Sequence, residues 1–481
     1  LASSAASDVY KRQDHPQEPD IVAVTSVTLN ESALSLKEGR NVTLSATITP
    51  DDATNQNVTW KSSDPDIATV DTNGKIRALK LGTATITVIT EDGGKTATCT
   101  VTVEPGDPLK SSRTVLVYVA ADNTLSGFAL PDFEEMKVGM AKVEDVDVNF
   151  LVYIDKGGSP QLLELKNENG TVVEKVVKTY SSRNSVGVSE TQEVFAAVFS
   201  NTQYQADSYG LVYWSHGDGW LPYPLGANTR WVGQDIGNGD KRMNISEFVE
   251  ILETAPHFDF MLFDACYMQS VEVIYQLRDR TDYFIGSPTE IPGPGAPYEA
   301  VVPALFSQDK PEINIAESYY TVYAEKYNNG IGISNENWTG GVSVSVVKSS
   351  ELPALATATK GVLQTAASMQ QRANIDITGI LCYDPLRSKN YHDLMGLMKK
   401  IQENQQAFDN YAHAYQNAVV WKNTTDNNYC TYPSGYGEMV SMNGFEGLST
   451  YILRGNDVKQ DAYYRQSVEW YSAAGWADVY W

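Results

Sequence analysis

Two apolar runs, each closed by one reactive side chain, restrict this sequence more than any other feature. Residues 209–215 (YGLVYWS) stop at His216-Gly217-Asp218-Gly219, and residues 258–263 (FDFMLF) stop at Asp264-Ala265-Cys266. Short, nearly continuous apolar runs bounded by turn residues predict strands buried on both faces of a mostly parallel sheet. Ligands and chemistry collect just beyond the carboxyl ends of such strands. The interval of about 50 residues leaves room for one crossover unit, so the two strands are expected to be neighbours. A His and a Cys would then face each other across one sheet edge, the arrangement of a thiol nucleophile and its imidazole base.

The other histidines, His15, His257, His392 and His413, lack that setting. Gly217 leaves space for close backbone approach. A helix carrying Met268, Val271 and Ile274 is predicted directly behind Cys266, where a helix N-terminus would favour thiolate. No G-x-S-x-G elbow exists for a serine hydrolase, and no His pair has zinc-ligand spacing.

The four cysteines, Cys99, Cys266, Cys382 and Cys430, are spaced too irregularly for a metal knuckle or a disulfide scaffold. A Cys382–Cys430 bridge or two free buried thiols remain, the second favoured by the burial habit of free cysteine. A net charge of −24 excludes nucleic acid and anionic membrane as natural partners. No run of about 18 apolar residues is present to span a bilayer.

The chain divides by pattern. Residues 1–20 read as a disordered tether. Within them Asp8-Val-Tyr-Lys-Arg-Gln13 back-translates to a library-preparation adapter, so residues 1–13 are expected to be a sequencing scar, with the native start and any export signal missing. Residues 21–103 alternate with period two between turn signals, which predicts a β-sandwich. Residues 104–112 (EPGDPLKSS) read as a linker. From residue 113 strands and helices alternate, the pattern of an α/β sheet. Helices are expected at 125–140 (Leu130, Phe133 and Met136 inward), 191–200, 245–254, 313–328, 351–370, 391–416 and 461–476. Strands are expected at 148–154, 283–286, 341–347 and 447–453, with a hairpin over 161–178. The Asp235–Asn244 stretch lacks the calcium-loop spacing and reads as a turn capping the next helix.

Val27-Thr-Leu29, residues 44–50 (LSATITP), Val58-Thr-Trp60 and Gly82-Thr-Ala-Thr-Ile86 resemble the bacterial Ig-like domain of group 2, with Trp60 as the expected core plug. Such modules act as spacers or bind a cell surface, glycan or protein, and spacer is the default. Tyr213-Trp-Ser-His-Gly217 and residues 263–275 (FDACYMQSVEVIY) resemble the clostripain family of cysteine peptidases, which share the caspase-type fold. Ala121-Asp-Asn123, residues 132–136 (DFEEM) and residues 286–293 (GSPTEIPG) support it.

The resemblance implies an Ig-like sandwich followed by a caspase-like α/β domain, secreted or surface-tethered, that hydrolyses peptide bonds. It implies Cys266 as nucleophile, His216 as base, and the N–H groups of Gly217 and Cys266 as oxyanion donors. Asp264 would line S1, the pocket for the P1 residue whose carbonyl is cleaved, and pair with Arg or Lys; the alternative is a helix-capping Asp. Basic-specific relatives carry another acid where Pro294 stands, so Glu290, four residues away, is the candidate substitute. Self-cleavage between His216 and Cys266 would fall at Lys241-Arg242 on a polar loop, unless these are simply solvated charges. Calcium dependence is a family implication without a recognisable ligand set here. The competing class is a surface adhesin whose peptidase-like fold only binds.

Overall fold

Nine strands of one sheet set the position of everything chemical in the larger part of the chain. The computed structural model describes residues 21–37, 40–104, 111–144, 147–220, 231–334, 338–366, 375–453 and 458–479. Residues 1–20, with the expected scar and tether, and most of the expected linker lie outside the described residues. The chain separates into two compact units, residues 1–108 and 109–481.

In the first unit, Ala33–Lys37, Thr96–Glu104, Gly82–Thr90 and Val58–Ser62 form a four-stranded sheet, and Asn41–Thr43, Lys75–Ala78 and Ala68–Val70 a three-stranded one. Ala84, Ile86, Cys99 and Val101 from the first sheet meet Ala68, Ile76 and Ala78 from the second in one core. Every second residue of these strands turns inward, as period-two alternation requires. Trp60 corrects the expectation of a central plug. It is only partly buried and packs against the core's margin, where a Cβ on Gly74 would come within 2.8 Å of its ring.

In the second unit, strands β1 (Ser111–Ala120), β2 (Val148–Asp155), β3 (Gln161–Glu168), β4 (Thr171–Thr179), β5 (Ala206–Trp214), β6 (Phe258–Asp264), β7 (Thr281–Gly286), β8 (Ser343–Lys348) and β9 (Val419–Thr424) lie in the order β4-β3-β2-β1-β5-β6-β7-β8-β9. The five central strands run parallel, and an antiparallel pair flanks them on each side. β1 shows why: Val115, Val117 and Val119 enter one core while Leu116, Tyr118 and Ala120 enter the other. A strand with two buried faces loses its apolar/polar alternation and reads as a continuous run.

Helices α1 (Ser126–Met140), α5 (Tyr298–Leu305) and α6 (Pro311–Lys326) cover one face. Helices α2 (Val188–Phe199), α3 (Ile245–Leu252) and α4 (Val271–Leu277) cover the other. On α1, Phe133 and Met136 face inward as expected, but Leu130 is 47% exposed and Asp132 is buried, so the inward face is shifted away from Leu130. The span 391–416 is not one helix but Leu394–Ile401 and Gln405–Ala418, broken where the Asn404 side chain caps the second. The span 461–476 is likewise three short helices, Val458–Ser467, Glu469–Ala473 and Trp476–Val479. The expected strand over 447–453 is reduced to Ser449–Thr450. All four cysteines are unbridged.

Candidate active site

The register between β5 and β6 fixes the site. Trp214 pairs with Asp264 in a parallel ladder, so His216 and Cys266 each stand two residues beyond paired positions on the same sheet edge. The His216 loop is pinned by Gly233 N–H donating to His216 O (2.8 Å), Asp218 N–H to Trp231 O (2.6 Å) and the Tyr391 hydroxyl to Asp218 O (2.6 Å). Gly217 then lies directly against the Cys266 backbone: a Cβ there would fall 2.8 Å from Cys266 O, 2.9 Å from Ala265 Cβ and 3.3 Å from Cys266 N. The N–H groups of Gly217 and Cys266 have no acceptor among the described residues. Both residues are partly exposed where they line the cleft, so the two unpaired donors are open to a ligand.

No helix starts directly behind Cys266, contrary to expectation. Tyr267 adopts a left-handed conformation (φ 61°). Tyr267 N–H then donates to Thr289 O and Gln269 N–H to Ser287 O, both at 3.0 Å. That pairing with the following loop holds the segment extended until α4 begins at Val271.

His216 Nε2 shares a hydrogen bond of 2.7 Å with Thr124 Oγ1. Thr124 is held by its neighbour Asn123, whose side-chain amide donates to Ala120 O and Gln234 O, both at 2.9 Å. Burial, then the charges of Arg387 and Arg242, push the imidazole down to about 4. Cys266 Sγ accepts from Ile291 N–H at 3.4 Å. Burial, then Glu290, push its thiol up to about 12. At neutral pH the resting pair is therefore thiol and neutral imidazole. Thr124, Ile291 and Arg387 escaped the sequence reading. Thr124 directly follows Ala121-Asp-Asn123 and Ile291 lies within residues 286–293, two stretches quoted for the family resemblance, while Arg387 carried no signal.

A cleft of about 400 Å³ joins these groups to Trp214, Asp264, Gly295, Glu290, Arg387 and Trp338. Asp264 is 2% exposed and accepts from Ala296 N–H (2.9 Å), the Tyr298 hydroxyl (2.8 Å) and the Tyr319 hydroxyl (3.1 Å). The helix-capping alternative fails, since none of these donors belongs to α4, whose N-cap is Ser270. Burial raises Asp264 to about 6 against those three hydrogen bonds.

Glu290 lines the same cleft but is partnered elsewhere. Its carboxylate takes Arg387 Nε (3.0 Å), the Tyr267 hydroxyl (2.9 Å), Thr431 Oγ1 (3.0 Å) and Thr431 N–H (3.1 Å). It and Asp264 line the cleft through separate sets of partners. Lys241 and Arg242 lie not on a loose loop but in the strand Lys241–Met243, paired with Val232–Asp235. Arg242 stacks over Trp231 at 4.6 Å and Met243 is buried. A peptidase needs its scissile segment unpaired, so a nick there requires this ribbon to open.

The acidic groups near the site bear on the calcium implication. Asp235 accepts Ser185 N–H (2.8 Å) and Asn238 N–H (2.9 Å), and Asp155 accepts Gly157 N–H (3.0 Å) and the Ser185 hydroxyl. Oxygens committed to N–H and O–H donors do not offer the six to eight lone pairs calcium takes. Among the described residues no group of three His, Cys, Asp or Glu is placed to hold a metal. These residues do not fit calcium. Asn244 instead opens α3, its N–H donating to Glu247 Oε2 at 2.7 Å, the helix-capping turn expected from sequence.

Comparison with known proteins gives two family matches. The profile of the clostripain family matches residues 117–481, and that of the bacterial Ig-like domain (group 2) matches residues 23–101. A solved structure of a secreted C11 cysteine protease from Bacteroides thetaiotaomicron, in complex with an irreversible peptide inhibitor, is 64% identical. It covers 76% of this chain and 100% of its own, with a TM-score of 0.72. Clostripain from Hathewaya histolytica is 24% identical over 218 residues, 39% of this chain and 41% of its own. An alpha-L-arabinofuranosidase from Bifidobacterium longum subsp. longum is 47% identical over 97 residues, 20% of this chain. The chain spans only 9% of the length of that enzyme.

Proposed function

This chain belongs to the clostripain family of cysteine peptidases, and on that premise we propose that it is an extracellular endopeptidase working through Cys266 and His216. The observation that carries the proposal is the convergence, at the ends of two register-paired strands, of a thiol, an imidazole and two unpaired N–H groups. His216, neutral at rest, takes the thiol proton as Cys266 attacks the peptide carbonyl. In the tautomer this step requires, Nε2–H is donated to Thr124 Oγ1 and Nδ1 is the accepting nitrogen. The carbonyl oxygen, becoming an oxyanion, moves between Gly217 N–H and Cys266 N–H, donors that gain most when charge is complete. The imidazolium then protonates the leaving amine, and water hydrolyses the thioester in a second passage through the same groups.

Asp264, at the closed end of the cleft, reads a P1 Arg or Lys as a charge-assisted contact. Glu290 acts apart from it, holding Arg387 beside the nucleophile. Extracellular placement is supported by the relative described as secreted and by the Ig-like module, which we assign as a spacer. No helix among the described residues is long and apolar enough to cross a membrane.

The test is turnover of fluorogenic peptides with P1 Arg, Lys, Ala, Leu or Asp, run with Cys266→Ala. Cleavage after Arg or Lys that vanishes in the variant is expected. Cleavage after another residue overturns the Asp264 assignment, and turnover that survives Cys266→Ala overturns the mechanism.

A further inference from the structure

One buried carboxyl beside the cleft has no part in the chemistry above. Asp132, on α1, is 2% exposed and receives a single hydrogen bond, from Trp214 Nε1 to Oδ2 at 2.8 Å. Its other oxygen has no partner among the described residues. Trp214 is also the wall of the pocket that ends at Asp264. A Cβ on Gly295 would lie 2.7 Å from Asp264 Oδ2 and 3.1 Å from Trp214 Nε1. The indole edge is thus the boundary between the two carboxyl groups. One turn along α1, Glu135 accepts Tyr298 N–H at 3.1 Å and lines a small cavity with Pro294. The loop that offers proline where an acid was sought is therefore met by Glu135 of α1.

We infer that Asp132 is a specificity-determining residue of the P1 pocket, a second carboxyl behind Trp214 that shares the charge of a basic P1 side chain with Asp264. The inference rests on the reading of Asp264 as the base of that pocket. Three hydrogen bonds already occupy Asp264, and a carboxylate has about four lone-pair sites. An incoming cation gains one direct contact, and in a pocket poor in water the remaining stabilisation must come through space. Asp132, hydrogen-bonded to Trp214 and within electrostatic reach of Asp264, is placed to supply it.

The same closeness opposes a second charge in the empty pocket at neutral pH, since like charges in a shared site push one acid up. The groups facing Asp132 act in that direction. Asp264 comes from β6 and Glu135 from its own helix; Tyr298 on α5 and Tyr323 on α6 feel all three acids. Lys326 is a cation that acts on Glu135. Burial first, then Asp264 and Glu135, raise Asp132 to about 9, with the Trp214 bond opposing. The empty pocket is singly charged at neutral pH, and becomes doubly charged in alkali.

The experiment is the ratio of kcat/KM for a P1 Arg peptide over its neutral isostere, P1 citrulline, from pH 5 to pH 10, on the full chain. His216 and Cys266 act on both substrates alike and cancel in the ratio, while arginine stays charged throughout. Because kcat/KM reports the free enzyme, two rises are expected. One lies near pH 6 as Asp264 ionises, and a second of about tenfold lies near pH 9 as Asp132 does. Asp132→Asn keeps the first rise and loses the second.

A wild-type ratio that is flat above pH 7 overturns the inference, as does a second rise that survives Asp132→Asn or disappears instead in Glu135→Gln. Asp264→Asn separates the two levels. If it leaves the ratio unchanged, the Asp264 reading falls and this inference with it. If it collapses the ratio, the pocket stands and Asp132 is judged alone. Should Asp132→Asn fail to fold, Asp132→Glu keeps a titrating carboxyl. A displaced midpoint then supports the inference, and an unmoved one overturns it.

Discussion

Gly217→Ala asks whether the two unpaired N–H groups carry the reaction. The added methyl would sit 2.8 Å from Cys266 O and 2.9 Å from Ala265 Cβ, closer than such atoms approach, and 3.3 Å from Cys266 N. Neither close neighbour is a flexible side-chain end, so the His216 loop itself must move. Gly217 does not lie in the left-handed region, so alanine adds no backbone strain and the effect is steric. Oxyanion donors work only within about 2.7–3.1 Å of the charged oxygen, and losing one typically costs about 10²–10³ in kcat, roughly 3–4 kcal/mol. Overpacking should cost about 1–3 kcal/mol of stability, which in a unit this large lowers Tm by no more than about 5 °C. The assay is kcat and KM measured separately on a P1 Arg peptide. Alkylation of Cys266 by iodoacetamide, read by peptide mapping, confirms that the thiol remains accessible. The expected result is a fall in kcat of about a hundredfold or more, with KM and alkylation nearly unchanged. A folded variant whose kcat stays within about threefold of wild type refutes the oxyanion assignment.

Two further outcomes follow from His216. Thr124→Val removes the hydroxyl at 2.7 Å from Nε2 and leaves the ring free to rotate; kcat should drop by roughly tenfold at constant KM, with Thr124→Ser restoring it. The pH profile should depend on the substrate. The base must be unprotonated to accept the thiol proton and its value is pushed down to about 4, so kcat/KM for a P1 Leu or Ala peptide should fall only as pH drops through about 4. For P1 Arg the fall should begin earlier, through about 6, because Asp264 loses its charge there. Superimposable acid limbs would contradict the role given to Asp264.

The legible part of this protein was the part written in two-sided strands. The runs ending at Trp214 and Asp264 are apolar on both faces because the sheet is covered on both faces, and their shared edge follows from parallel register. Gly217 was legible for the same reason, since a residue pressed against Cys266 O tolerates no side chain.

What failed depended on rotation and on distant partners. Periodicity marks a helical face but does not say which neighbour it meets, and on α1 the inward position went to Asp132 rather than Leu130 because Trp214 lies beneath it. Thr124 and Ile291 reach the dyad from loops 92 and 25 residues away in sequence, a separation that no local pattern records. The aromatic run at the C-terminus read as one helix. It is broken at Gly475, in the left-handed region at φ 80° and packed against Lys360, and at Val468 in an extended conformation.

The most instructive difference concerns the activation of the thiol. A helix starting at Cys266 would have lent it the dipole of a helix N-terminus and drawn it toward thiolate before substrate arrives. The chain instead turns through left-handed Tyr267, spends the next N–H groups on Thr289 O and Ser287 O, and starts a helix only at Val271. Cys266 N–H has no acceptor among the described residues and lies beside Gly217 N–H, while burial keeps the sulfur protonated. Donors that stabilised a resting thiolate would lower the energy of the ground state along with that of the transition state, and uniform stabilisation does not accelerate chemistry. Donors held empty until an oxyanion forms act on the transition state alone. Forgoing the helix at the nucleophile removes its pull toward thiolate and leaves the two idle N–H groups as they would have been, since the first N–H groups of a helix have no intrahelical partner either. The proposed enzyme places its electrostatic stabilisation on the tetrahedral intermediate and leaves His216 to move the proton during the attack.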